Sequence, residues 1–473
     1  MANPEGCPPA LLEEIRATFE AQSTRRWVHS AEDPAARRAR LRRLKEAMEA
    51  ARPALLRALA EDLGKCAEEA HLTELHTTWM ELNLALRKVG RWMKPRRVGT
   101  PLLLLGTRSR VRFEPRGRVL ILAPWNYPVF LTLVPLIGAL AAGNTIILKP
   151  SEKAPATERV LAEMLGTAFP KEEVAVFTGG PEVAQALLDL PFDHLFFTGS
   201  TRIGRLVMAA AAKHLSAVTL ELGGKSPALV TEGADLDLAA KRIAWGKWIN
   251  AGQTCVAPDY VLVPEALERP FLERLRAEVE ALFGADPLAS AGYGKLIDRP
   301  AFERQQALLA KGGGERVFGG EVDEARLRMA PAVVRAVPLD SPLMREEIFG
   351  PPLPVIAYKD HAEALAILRG LDEPLASYVF TGSGAEAEAW LRDTRAGGSA
   401  VNHTVLHLGN PALPFGGRGP SGLGAYHGEH GFRVFSHQRA VLEAGWYDPI
   451  GFTKPPYEGW LAKLAFRFMR WLE

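Results

Sequence analysis

The runs RVLILA (118–123), NTIILKP (144–150), VAVFTG (174–179), HLFFTG (194–199) and AVTLELG (217–223) are short, apolar and rich in β-branched residues. Helix-forming stretches such as APATERVLAEMLGTAF (154–169) and IGRLVMAAAAKHL (203–215) separate them. Strands alternating with helices in this way build βαβ units and a parallel sheet. A doubly wound sheet binds its ligands where the strands end, so the residues closing these runs are the first candidates for chemistry.

Outward from this stretch, KSPALV (225–230), YVLVP (260–264), RVFGG (316–320), LPVIAY (353–358) and ASYVFTG (376–382) repeat the alternation and predict a second α/β domain. Upstream, Pro9 to about Met93 carries helical apolar spacing. The intervening PRRVGTPLLLLGTRSRVRFEP (95–115) changes to extended runs broken by Pro and Gly, the pattern of a hairpin arm that pairs with another subunit. VFLTLVPLIGALAA (129–142) falls short of the roughly 20 residues a bilayer span requires and contains a proline, so it predicts a buried helix.

With 473 residues the chain exceeds one ordinary core. Its 57 basic and 55 acidic residues nearly cancel, which argues against nucleic acid as a partner. Cys7, Cys66 and Cys255 are too few and too far apart for a disulfide framework or a CxxC metal site. Residues 1–20 lack the basic, apolar and cleavage regions of a secretory signal, and a reducing cytoplasm is the expected location.

Cys255 follows a helical run in the small-residue loop NAGQTCVAP (250–258), where a thiolate could act as a nucleophile; an inert buried cysteine is the alternative. Glu221 ends a strand ahead of two glycines, a place for a general base or for an ordinary paired carboxylate. Asn126, between Pro124 and Pro128, offers a fixed amide to an oxyanion or simply forms a turn. Gly199, Ser200 and Gly204 form a strand, glycine turn and helix start suited to a phosphate, although not a GxGxxG fingerprint. Lys149 and Glu152 close another strand and suit a ribose or a plain ion pair. His403 and His407 share a face only if helical; their stretch reads as extended with no further ligands, so no metal site is expected.

Taken together, PWNYP (124–128), KPSE (149–152), FTGSTRIG (197–204), ELGGKSP (221–227), GQTC (252–255), EEIFGP (346–351) and LPFGG (413–417) resemble the aldehyde dehydrogenase superfamily in order and approximate spacing. NAGQTCVAPDYVL (250–262) and LPFGGRGPSGLGAYHGEHGFRVFSH (413–437) are most similar to its class 3 branch, which handles aromatic and medium to long aliphatic aldehydes. The resemblance implies an α/β fold with a Rossmann-like NAD(P)-binding domain (1–94 and 115–222) and a second α/β catalytic domain (223–397). It further implies an oligomerisation arm (95–114 and 430–448), a return segment lining the active site (398–429) and a C-terminal tail (449–473). Cys255 would then form a thiohemiacetal and a thioester, Asn126 would hold the oxyanion, and Glu221 would activate the hydrolytic water. Lys149 and Glu152 would hold the adenosine ribose, Gly199, Ser200 and Gly204 the pyrophosphate, and Glu347 the nicotinamide ribose, with Trp125 and Phe349 completing the cofactor site. A carboxylate at Glu152 repels a 2′-phosphate, so NAD is expected first and NADP second. Tyr127, Trp248, His403 and Phe415 are the expected lining of the substrate channel; His403 stands where class 3 members more often have Asp.

Three other readings use the same residues: transfer of the acyl group to coenzyme A, a cysteine esterase without redox chemistry, and an inactive scaffold. Glu221, the dinucleotide motifs and the intact Cys255, Glu221 and Asn126 set argue against them in turn. The tail GWLAKLAFRFMRWLE (459–473) predicts an amphipathic helix with Lys463, Arg467 and Arg470 in one stripe, suited to peripheral membrane contact or to docking on its own dimer.

Overall fold

The computed structural model describes residues 6–101, 104, 106–445, 455 and 457–472. In the first sheet, five parallel strands lie in the order Ala217–Glu221, His194–Thr198, Arg118–Leu122, Thr145–Lys149 and Val174–Val176. The chain starts in the middle, winds to one edge and then returns to wind to the other. The switch point therefore lies between Arg118–Leu122 and His194–Thr198, and the loops after Leu122 and Thr198 flank the crevice where such sheets bind ligands. Gly422–Leu423 adds an antiparallel edge strand by pairing Gly422 with Glu221. Two residues offer no periodicity to read, and this strand was not anticipated.

Helix Phe130–Ala142 is buried at every position, in keeping with its uniformly apolar sequence, and stops at Gly143, whose φ of 93° suits glycine. Its first turn is anchored from outside: Glu74 accepts hydrogen bonds from the backbone N–H groups of Val129 (2.9 Å) and Phe130 (3.1 Å). Glu74 sits in a π-helical turn, His71–His76, leading into helix Thr77–Trp92. Such turns commonly accompany functional sites.

The second sheet has seven strands in the order Glu315–Phe318, Ala332–Arg335, Pro352–Tyr358, Tyr260–Pro264, Pro227–Val230, Ala376–Phe380 and Gly398–Val401. All are parallel to their neighbours except Glu315–Phe318. Gly398–Val401 thus completes this sheet, although it falls in the stretch expected as a return segment. Arg96–Val98, Thr107–Pro115 and Ser436–Ala444 form a separate antiparallel sheet in which the last two pair along nine positions, from Ser436 with Pro115 to Ala444 with Thr107. Of the expected arm, 102, 103, 105 and 446–448 lie outside the described residues, as do 449–454, 456 and 473 of the tail. Helix Trp460–Leu472 closes the chain.

Candidate active site

Cys255 is placed by an unusual piece of backbone. Helix Leu236–Trp248 ends in a short turn in which Asn250 (φ 53°), Ala251 (φ 52°) and Gly252 (φ 79°) are all left-handed. A left-handed run is costly for non-glycine residues and persists only where the surroundings impose it. Here Asn250 N–H donates to Glu69 (2.8 Å), and the Asn250 amide donates to the carbonyls of Asn126 (2.8 Å) and Gln253 (3.1 Å). Gln253 donates to the carbonyls of Asn250 (3.1 Å) and Lys295 (3.0 Å) and accepts from Ile297 N–H (3.0 Å). A side chain at Gly252 would lie 2.3 Å from the Gly350 carbonyl oxygen, so glycine is required there.

The structure brings Asn126 to this loop. Its Nδ2 donates to the Gln253 carbonyl (3.1 Å), which fixes the amide plane and leaves its second N–H available. Its carbonyl accepts from Lys65 Nζ (3.1 Å) as well as from Asn250. Lys65 in turn is paired with Glu74 at 2.7 Å, both side chains fully buried, and lies 4.0 Å from the centre of the Tyr127 ring. One carboxylate therefore holds both the helix start after Asn126 and the ammonium under its carbonyl. Neither Lys65 nor Glu74 was singled out in the sequence, because their partners are remote in the chain.

Glu221 ends its strand with both oxygens buried and without a hydrogen bond among the described residues. Burial raises its pKa well above the ordinary carboxylate value. Burial, followed by the charges of Glu347 and Glu221, pushes the Cys255 thiol up to about 12, so the three groups share one electrostatic site. Glu347 is raised to about 8, mainly by burial and then by Asp259.

The residues expected at a dinucleotide lie at the strand ends of the first sheet or face them. Lys149 Nζ pairs with Glu152 at 2.8 Å. Ser200 caps helix Thr201–His214 and leaves its N-terminus beside Gly199. Trp125 and Phe349 pack edge to face, ring centres 5.4 Å apart. A side chain at Gly223 would fall 2.1 Å from Glu347 Oε2, and Glu347 Oε1 is buried without a hydrogen-bond partner among the described residues. A helix terminus for a phosphate, a cradle open only at glycine and an unsatisfied carboxylate oxygen for a hydroxyl fit a dinucleotide.

A strongly apolar cavity of about 230 Å³ opens onto Cys255. Tyr127 and Phe415 line it, and Tyr127 Oη is 2.6 Å from Thr254 Oγ1. Trp248 and His403 do not line it, contrary to expectation. Trp248 is buried in the core, its indole N–H donating to Pro351 O (2.9 Å), and the indole at the cavity belongs to Trp245. His403 packs edge-on behind Trp245 at 6.0 Å with its Nδ1 engaged by Thr404 N–H (2.9 Å). Leu72, His76 and Met80 also line the cavity; their spacing of four was the available signal. Among the described residues no cluster of three or more His, Cys, Asp or Glu could hold a metal ion, and no helix is long and apolar enough to cross a membrane.

A cysteine loop and a buried carboxylate beside a dinucleotide-type sheet edge suit an oxidoreductase of the aldehyde dehydrogenase kind, and the chain belongs to the aldehyde dehydrogenase family, whose model matches residues 10–441. It is 40% identical over 446 residues to the 4,4'-diaponeurosporen-aldehyde dehydrogenase of Staphylococcus aureus, covering 94% of this chain and 96% of that one. It is 43% identical over 432 residues to human aldehyde dehydrogenase family 3 member B1, covering 91% and 90%. The substrate-bound structure of Staphylococcus aureus AldH superimposes with a TM-score of 0.93 at 38% identity, covering 96% and 99%. The NAD+ complex of a Mycobacterium tuberculosis aldehyde dehydrogenase matches at 0.83 and 29% identity, covering 92% and 91%. The chain is thus an NAD(P)-dependent aldehyde dehydrogenase of the class 3 type.

Proposed function

We propose that Cys255 is the nucleophile, Asn126 the oxyanion donor and Glu221 the general base in oxidation of an aromatic or medium to long aliphatic aldehyde to its acid. The observation that carries this reading is the clamp that fixes the Asn126 amide against the Cys255 loop, with one N–H still free to donate.

The Cys255 sulfur adds to the aldehyde carbon, and its proton passes to a base; with the thiol at about 12, attack at neutral pH depends on that transfer. The oxyanion of the thiohemiacetal is held by the second Asn126 N–H and the Cys255 backbone N–H. Bound NAD(P) supplies the acceptor for the hydride that leaves the carbon as the thioester forms. Glu221 takes a proton from water, the hydroxide adds to the thioester carbon, and the carbon–sulfur bond breaks to release the acid and restore the thiol. Lys149 and Glu152 are assigned to the adenosine ribose, Gly199, Ser200 and Gly204 to the pyrophosphate, and Glu347 to the nicotinamide ribose between Trp125 and Phe349. Glu152 favours NAD over NADP by repelling a 2′-phosphate.

The apolar cavity, with Tyr127 and Phe415 in its wall, supports a substrate with a sizeable apolar body. Residues 1–94 and 115–222 are assigned to cofactor binding, 223–397 to the catalytic domain and 398–429 to closing the site. The arm sheet, with an exposed Leu442, suits a homodimer contact. Three unpaired cysteines suit the cytoplasm. Helix Trp460–Leu472 exposes Trp460, Leu464 and Trp471 beside its basic residues, which supports peripheral contact with an anionic lipid surface.

Intact mass measurement tests the covalent step. Glu221→Gln incubated with NAD and an aldehyde is expected to gain the mass of the acyl group, and Glu221→Gln/Cys255→Ala to gain nothing; acylation of the double variant would remove Cys255 from the role.

A further inference from the structure

Tyr426 pairs with Phe415 as an antiparallel bridge: its N–H donates to Phe415 O (2.8 Å), and its carbonyl accepts from Phe415 N–H (3.1 Å). In extended backbone the next side chain points to the opposite face. His427 departs from that rule with φ 75° and ψ 138°, close to a region that residues other than glycine almost never enter. Both rings therefore line the apolar cavity that opens onto Cys255, edge to face with centres 4.4 Å apart. The turn is imposed from its far side, where Glu81 accepts the Gly428 N–H (2.8 Å) and His427 O accepts the Gly431 N–H (3.1 Å). Strain of this kind concentrates at functional sites.

Leu72 and Leu406 of the same cavity are 53% and 52% exposed, whereas Tyr426 is fully buried and His427 is 1% exposed, so the pair belongs to the inner wall. Phe130 and Phe415 pack against the His427 ring at 5.7 and 5.3 Å. His427 Nδ1 lies 3.0 Å from Glu81 Oε1. A carboxylate only accepts, so the ring carries its proton on Nδ1 and keeps Nε2 as an acceptor. Among the described residues neither His427 Nε2 nor Tyr426 Oη has a hydrogen-bond partner, although both atoms are buried. The third polar aromatic residue of the lining, Tyr127, already shares its hydroxyl with Thr254 (2.6 Å). Unpaired polar atoms in a dry interior are costly and mark a place for a ligand's own polar group.

We propose that Tyr426 and His427 are specificity-determining residues that bind a hydroxyl carried on the body of the aldehyde. A hydroxyl matches both: it accepts from the Tyr426 O–H and donates to His427 Nε2. The inference rests on Cys255 being the nucleophile at this cavity.

The test compares meta- and para-hydroxymethylbenzaldehyde with meta- and para-ethylbenzaldehyde, pairs of nearly equal size that differ in the oxygen. For at least one position, Tyr426→Phe and His427→Phe are each expected to raise KM for the hydroxymethyl compound about tenfold relative to its ethyl partner, with little change in kcat. Tyr426→Phe removes an oxygen that has no partner in the folded chain, so its melting temperature is expected to hold or rise. Should His427→Phe fail to fold, Tyr426→Phe decides alone. KM ratios unchanged in both variants, KM raised equally for hydroxymethyl and ethyl compounds, or a marked melting loss in Tyr426→Phe overturn the proposal. Turnover surviving in Cys255→Ala would instead overturn the nucleophile assignment, and the KM ratios would still decide whether the two residues read the hydroxyl.

Discussion

Both carboxylate oxygens of Glu221 are buried and accept no hydrogen bond among the described residues, so ionising this group costs the folded state free energy. Its folded pKa lies above the unfolded value of about 4.5, which fixes the sign: the folded state loses stability as pH rises from that value through the raised one. Glu221→Gln, which cannot ionise, is therefore expected to gain melting temperature relative to the native chain as pH is raised from about 5 to 9. A constant difference over that range would contradict the raised pKa. In its proposed role as general base the same group must be ionised to activate water, so the native thioester hydrolysis rate is expected to rise with pH. Asn126→Ala removes the proposed oxyanion donor and is expected to lower kcat by about 10²–10³-fold with a small effect on KM, checked by steady-state kinetics.

At the scale of the element, the start of helix Phe130–Ala142 depends on a carboxylate 55 residues away, counting from Glu74 to Val129. Glu74→Ala would leave Lys65 as a buried charge without its partner and two N–H groups unsatisfied, at an expected cost of about 3–5 kcal/mol in chemical denaturation. Lys65→Met/Glu74→Leu should recover part of that loss, because replacing both charges by apolar groups is far milder than removing one. A double variant less stable than the single one would show that the pair is not the anchor. This element also shows how far the sequence could be read. Uniform apolarity announced a buried helix over 129–142, and β-branched runs announced the five parallel strands of the first sheet and five of the seven in the second, because those signals are local; Ala332–Arg335 and Gly398–Val401 were not read as strands. Glu74 and Lys65 act through partners remote in the chain, so no local pattern marked them. Trp245 and Trp248 were indistinguishable on one helix until Pro351 O captured the Trp248 indole. Gly422–Leu423 is too short to carry an alternation at all.

At the scale of the molecule, the end of strand Ala217–Glu221 in the first sheet comes near Glu347, which precedes a strand of the second: a side chain at Gly223 would fall 2.1 Å from Glu347 Oε2. The motifs at Asn126, Lys149, Gly199 and Glu221 were legible because each closes or follows a strand of the first sheet, and a doubly wound sheet gathers its strand ends on one edge; Cys255 instead follows helix Leu236–Trp248. The tail helix lies outside that arrangement. Trp460 and Trp471 are 73% and 78% exposed, far more than a monomeric surface needs, so some surface is expected to cover them. Truncation before Gly459 is expected to abolish sedimentation with anionic vesicles and to leave aldehyde turnover in solution intact; unchanged vesicle binding would remove the lipid reading and favour a second copy of the chain.

The central claim is that Cys255 carries the oxidation of an aldehyde. Absorbance of reduced cofactor, followed at neutral pH with NAD or NADP and a panel of aliphatic and aromatic aldehydes, tests it most directly, with free acid assayed in the absence of coenzyme A. Turnover by the native chain, faster with NAD, and its loss in Cys255→Ala are predicted. Turnover that persists in Cys255→Ala, or cofactor binding with no turnover of any aldehyde, would contradict the account.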